Sequence, residues 1–205
     1  FRGDALLFVG LLGAARFAVA LAALDTGSAF EGMGVAREVS YAVIAEAAIL
    51  AALLTLALQS GSVSLASMLV PSAGAGAALL AVGLFAVLLA ENCRVPFDDP
   101  NTHLELTMIH EVMVLDHGGP AFGLVLYGAS VKLFVLSALF LRVVFPFSAI
   151  DPNLDWVAFV AGILLVAIAI GVVESVMARL RLVKVPQLLV GACVLSAFGM
   201  LLLAR

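Results

Sequence analysis

Apolar positions along this chain gather into long unbroken runs, not into the alternation of a half-buried strand or the narrow stripe of a surface helix. The runs extend from about Ala5 to Leu24, Val39 to Leu58, Ala73 to Ala90, Pro120 to Val144, Trp156 to Val173 and Pro186 to Ala204. About 20 apolar residues in a helix cross the hydrocarbon core of a bilayer, and a helix satisfies its own backbone there. The pattern predicts an all-α, polytopic transmembrane bundle of about six helices, forming one integral membrane domain over residues 1–205. Each break carries turn chemistry: Asp25, Thr26 and Gly27 after the first run, Ser60 to Ser62 and then Pro71 after the second, Pro146 after the fourth, and Pro186 before the last.

The third connection, residues 91–119, is longer and has a helical period of its own. Asp99 suits an N-cap with Pro100 at the first helical position, and Thr102 with Glu105 repeats capping-box spacing one turn later. A short amphipathic helix from about Pro100 to Asp116 is the expectation. No internal repeat or low-complexity tract interrupts the rest.

Composition removes the soluble alternatives. Hydrophobic residues make up 64% of the 205, charged residues only 12%, and the mean hydropathy is +1.23, so lipid has to supply most of the solvent. The formal net charge of -4 comes without a basic patch, which argues against nucleic acid as a partner. Cys93 and Cys193 lack CxxC spacing and read as buried, inert thiols. The opening Phe1, Arg2, Gly3, Asp4 leads straight into an apolar run without a small-residue cleavage site, unlike a secretory signal, and the missing initiator Met suggests a fragment.

Lys and Arg set the expected orientation, because positive charge is retained on the cytoplasmic side. Arg2, Arg142 and Arg205 fall on one side, against Arg37, Arg94, Arg179, Arg181 and Lys184 on the other. Residues 25–38, 91–119 and 174–185 are therefore expected in the cytoplasm, with the chain multi-pass in a cell's inner (plasma) membrane.

Charged residues inside the apolar runs matter most for function, since an unpaired charge near the bilayer centre costs at least a few kcal/mol. Arg16, Glu46 and Lys132 lie within runs, and Glu91 and Glu174 at run ends. One reading is a packing ion pair of Glu46 with Lys132 or Arg16. The other is a relay of desolvated carboxylates that hold and pass protons. His103, His110 and His117 recur every seventh residue, together with Thr107 and Glu111 on one face of a helix. Successive rings would stand about 10 Å apart, too far to share one metal, so a polar stripe facing a partner or a wet cavity is the better reading.

Particular segments carry a family resemblance over nearly the whole chain: Leu24 to Phe30, Gly32 to Gly34 with Ala36 to Glu38, Glu91 to Leu106, Met108 to Glu111, and Met177 to Arg181. In these the chain resembles the membrane subunit shared by respiratory complex I and the group 4 membrane-bound nickel-iron hydrogenases, including formate hydrogenlyase-type complexes. The resemblance implies that the six runs correspond to helices 3 to 8 of an eight-helix subunit, the first two being absent here. Where complex I members typically have Leu and two glutamates after Pro96 Phe97 Asp98, this chain has Asp99, Asn101 and His103, keeping Pro100 and Glu105. That favours the hydrogenase branch and disfavours bound quinone.

What the resemblance implies is a non-redox membrane anchor and ion-coupling subunit of an energy-converting oxidoreductase. Its partners would be hydrophilic hydrogenase-like large and small subunits carrying the iron-sulfur clusters and the nickel-iron centre, and antiporter-like membrane subunits. The chain itself would bind no cofactor and no metal. Glu38, Glu46, Glu91, Glu105, Glu111 and Glu174 with Lys132 are the expected proton or ion relay. Arg37, Arg94, Asp98, Asp99, His103 and His110 are the expected docking loop. The alternatives are a quinone-tunnel subunit of an NADH:quinone oxidoreductase and, from another class, a stand-alone secondary transporter, which the lack of a paired repeat of interrupted helices disfavours.

Overall fold

The computed structural model describes residues 2–68, 74–98, 108–145 and 152–203. Seven α-helices follow one another in these segments: α1 Asp4–Asp25, α2 Ala29–Ser60, α3 Leu65–Met68, α4 Ala75–Glu91, α5 Gly119–Val144, α6 Pro152–Val176 and α7 Val185–Leu203. Two 3₁₀ turns, Glu111–Val114 and Leu182–Lys184, complete the regular structure. Helices α1, α2, α5 and α6, and the last helix together with the turn before it, are long and apolar enough to cross a membrane, while α4 is apolar and shorter at 17 residues. The expected run from Ala73 begins outside the described residues.

Helices α2, α4 and α7 form the centre, α1 packs on α2, α5 on α4, and α6 on α5. The contact faces are built from small residues. Ala45, Ala48 and Ala52 of α2 and Ala192 of α7 are buried, and a Cβ on Gly83 would stand only 3.1 Å from the Ala192 carbonyl oxygen. Gly76 has the same relation to the Gly199 carbonyl, at 3.1 Å. Backbones approach this closely only where side chains are absent, and such contacts supply dispersion where lipid provides no hydrophobic drive between helices. By contrast Leu124 and Phe134 of α5 and Trp156, Leu164 and Ile168 of α6 lie on the outside, as lipid-facing residues do.

Two sequence expectations are corrected. The second apolar run begins at Val39, but α2 starts at Ala29 and has 32 residues, about 48 Å of helix. Polar residues of its first turns are tolerated because they have partners: Glu31 accepts from the Thr26 hydroxyl and, at 3.0 Å, from the backbone N–H of Asp116. The amphipathic helix expected over 100–116 lies outside the described residues up to 107, and 108–116 does not continue it. Met108 to His110 are irregular and only a 3₁₀ turn follows at Glu111–Val114. Asp98 Oδ2 takes the N–H of Ile109 at 2.9 Å and of His110 at 3.2 Å, so a side chain supplies what an α-helical carbonyl would. Val112 and Met113 then pack where Gly34 has no side chain.

Candidate functional site

Arg16 lies nine residues before the end of α1, Glu38 nine after the start of α2, and Lys132 thirteen after the start of α5. Arg16 and Lys132 reach Glu91, the last residue of α4, and Glu38 stands beside Arg16. Around the end of α4, helices α1, α2 and α5 therefore run on by about 14 to 20 Å. Residues 92–98 and 108–118 fill the resulting cup, with Val95, Phe97, Asp98, Met108, Ile109 and Val112 buried in it.

Arg16 organises the floor of the cup. Its Nη2 donates to both oxygens of Glu91 at 2.7 and 2.6 Å, its Nη1 donates to Glu46, and its Nε stands 3.8 Å from Glu38 Oε1. Lys132 Nζ reaches Glu91 Oε2 at 2.9 Å from the other side. Glu91 is 5% exposed, so its charge is stabilised by these two cations and hardly by solvent. The packing alternative weighed Glu46 against Lys132 or Arg16; the partner is Arg16, while Lys132 belongs to Glu91. Three carboxylates thus face two cations, and the fully ionised group keeps one negative charge in excess.

Above this floor stand Glu38, Cys93 and His110, whose nearest ligand atoms all lie within 4.8 Å of one another. Cys93 Sγ is 3.9 Å from Glu38 Oε2, and the Cys93 backbone is left-handed, with φ 49°. Burial pushes the Cys93 thiol well above its ordinary range, reinforced by the Glu38 carboxylate. Burial likewise holds His110 below the usual imidazole value, outweighing Glu38 and Asp98, which act the other way. A cavity of ≈ 20 Å³ adjoins Glu38 and Cys93, lined also by Tyr41, Glu91, Asp98 and Ile109 among others. It has room for about one water.

A second set of contacts ties the rim together. Asp98 Oδ1 accepts from Arg179 Nη2 at 2.8 Å, Arg94 meets Glu174 at 3.4 Å, and Leu180 N–H donates to the Pro96 carbonyl at 2.9 Å. Arg37 donates to the Met108 carbonyl at 2.9 Å. The expected site residues therefore separate. Glu38, Glu46, Glu91 and Lys132 share the cluster with Arg16, Glu174 sits about a third exposed at the rim with Arg94, and Glu111 opens the 3₁₀ turn. Arg37, Arg94, Asp98 and His110 belong to the cup or its rim, whereas Asp99, His103 and Glu105 lie outside the described residues. The stripe of histidines does not persist as one face: His110 joins Glu38, while His117 Nδ1 faces Glu31 at 3.7 Å.

Sequence reasoning did not assign site roles to Arg16, Glu31, Cys93 or Arg179. Arg16 carries a visible signal, a cation inside an apolar run. Glu31, completely buried, had only its position between the two resembling segments around it.

The sequence profile of the NADH dehydrogenase family matches residues 1–205. Among characterised proteins, hydrogenase-4 component C of Escherichia coli (strain K12) is 31% identical over 193 residues, covering 87% of this chain and 59% of that protein. Formate hydrogenlyase subunit 4 of the same organism is 31% identical over 206 residues, covering 91% of this chain and 64% of that protein. The chain thus spans about three fifths of the length of these relatives.

Proposed function

The chain belongs to the NADH dehydrogenase family, and from that premise we propose that it is the membrane-anchor and ion-coupling subunit of a complex I-like energy-converting oxidoreductase of the group 4 hydrogenase type. The two named relatives support the hydrogenase branch, one by being a hydrogenase component and the other by being a formate hydrogenlyase subunit. On this reading the bundle sits in the cell's inner membrane with residues 25–38, 91–119 and 174–185 on the cytoplasmic side. Hydrophilic large and small subunits dock there, and antiporter-like subunits adjoin it within the bilayer. Iron-sulfur clusters, the nickel-iron centre and any quinone belong to those other subunits.

The observation that carries the coupling role is the partly buried group of Arg16, Lys132, Glu38, Glu46 and Glu91, which joins four helices. Two structural ion pairs would need two acids for two cations. A third carboxylate leaves the group one charge short of neutral in a setting of low dielectric, so an arriving proton neutralises it and a departing one restores the imbalance. Glu46 is the member about a third exposed and held by Arg16 alone, which makes it the outlet. Glu38, beneath the loop, is the inlet.

The test compares Glu46→Gln with the parent in membranes at equal subunit abundance, measuring redox turnover and ion-gradient formation together. Gln keeps the shape and accepts from Arg16 through its carbonyl but has no titratable proton. Gradient formation per turnover is expected to fall at least tenfold. Equal coupling in variant and parent would make Glu46 a packing residue.

A further inference from the structure

The cup holds a set of metal-type donors, and the expected function leaves its cysteine without a role. Glu38 comes from α2, Cys93 from the residues just after α4, and His110 from the segment before the 3₁₀ turn. They are separated by 55 and 17 positions in the chain, and the fold brings one ligand atom of each within 4.8 Å of the others. A tetrahedral zinc ion with ligands at about 2.0 to 2.3 Å separates a sulfur and an oxygen by about 3.5 Å. Cys93 Sγ and Glu38 Oε2 are 3.9 Å apart, so a shift of a few tenths of an ångström closes that edge.

We propose that Glu38, Cys93 and His110 form a three-ligand site for a divalent transition-metal ion, zinc by its donor set, pinning the loop after α4 onto α2. The mixture of thiolate, imidazole and carboxylate excludes the oxygen-only preference of magnesium and calcium and fits a borderline-soft ion. Charge agrees as well: a dication against one thiolate and one carboxylate is locally neutral, and the neighbouring Arg16 and Lys132 have Glu46 and Glu91 between them. Glu38 divides its two oxygens, Oε1 towards Arg16 and Oε2 towards Cys93, so the metal and the ion cluster share a carboxylate. Cys93 is also the one described residue other than glycine with a positive φ. That conformation is the C′ position of a Schellman cap on α4, with the Cys93 N–H donating to the Ala90 carbonyl at 3.1 Å and the Arg94 N–H to the Leu89 carbonyl at 2.9 Å, and it is this turn that places the Cys93 thiol beside Glu38. The adjoining cavity of ≈ 20 Å³ leaves space for a water as fourth ligand. On binding, the thiol proton leaves to solvent, and no electron changes hands.

This departs from the expectation of no metal on the chain. That expectation tested the three histidines against one another, whereas the ligands come from three separate segments.

The experiment uses the intact membrane complex, purified after growth with zinc and dialysed against EDTA at a concentration that strips adventitious metal. Zinc content and zinc-edge X-ray absorption are compared for the parent, Cys93→Ser and His110→Gln. The parent is expected to retain one zinc per chain, attributable to this site, with a sulfur scatterer near 2.3 Å. Each variant should lose that one equivalent at unchanged subunit stoichiometry. Equal zinc in parent and assembled variants overturns the site. So does a parent spectrum that, after titration with zinc sulfate, shows no sulfur ligand, an outcome that stands even if a variant fails to assemble. A bound metal takes Glu38 out of the proton relay, so the site and the inlet role of Glu38 exclude each other; neither measurement here depends on coupling, and Glu46→Gln tests coupling on its own.

Discussion

At the scale of single residues, Arg16 does most to hold the site together. It is the common partner of Glu46 and Glu91 and stands beside Glu38, with a side chain only 9% exposed. Removing one partner from a buried ion group leaves uncompensated charge, which costs about 3 to 5 kcal/mol. Arg16→Ala is therefore expected to lower the thermal midpoint of the detergent-solubilised protein by several degrees or to remove the subunit from membranes altogether. Arg16→Lys should be intermediate, because an ammonium on a flexible stem cannot span three acids at once. A midpoint unchanged in both variants would mean that the cluster carries little of the packing. Much of this group was legible in the sequence, since a charge in an apolar run stands out without any knowledge of the fold. The triad of Glu38, Cys93 and His110 was not, because its members are adjacent only through tertiary structure, and a lone cysteine reads as an inert one.

At the scale of elements, the six apolar runs became helices nearly where the hydrophobic pattern put them. The errors fall where polar residues are buried by partners. The first ten residues of α2 look like a loop because Glu31, Arg37 and Glu38 interrupt the apolar pattern, and only their contacts in the cup explain the helix. Residues 108–116 have helical periodicity, yet Asp98 caps them into a short turn and Gly34 opens the seat for Val112 and Met113. Two substitutions probe that seat. In Gly34→Val the added side chain meets Val112, Met113 and the Ile109 carbonyl, which lies 3.1 Å from a Cβ at this position. Asp98→Ala removes the acceptor of two backbone N–H groups and the partner of Arg179, interactions each worth about 1.5 to 3 kcal/mol when the acceptor is charged. Amide hydrogen exchange at Ile109 and His110 is expected to accelerate at least tenfold in both variants while the centres of α4 and α7 keep their protection. Exchange at these two amides equal to the parent's would show that the turn is held by something other than Asp98 and Gly34.

At the scale of the whole molecule, apolar surface means different things at different heights. Leu164, Leu165 and Ile168 in the middle of α6 are exposed and match acyl chains. Val176, Met177 and Val183 are also exposed, at 78, 45 and 79%, but they stand at the cup end of the bundle among Glu174, Arg179, Arg181 and Lys184. Lipid tails do not reach past a rim of charges, and apolar side chains beside cations on an exposed end are typical of the centre of a protein interface with its polar surround. On the proposed function this end receives the hydrophilic arm. Met177→Glu combined with Val183→Glu should leave the membrane helices untouched, since neither side chain is buried, and should weaken the attachment of the peripheral subunits. After mild salt washing of membranes, the fraction of peripheral hydrogenase-like subunit found in the supernatant is expected to rise several-fold over the parent, with the membrane subunit's own abundance unchanged. The same membranes report orientation: a cysteine introduced at Gly27 should react with an impermeant maleimide in inverted vesicles and stay unreacted in intact cells, and one at Gly61 should do the reverse. Retention of the arm by the double variant, with labelling as expected, would move the docking surface elsewhere on the cytoplasmic end. Reversed labelling would put this end on the wrong side of the membrane for any cytoplasmic partner, and the proposed function would fall with it.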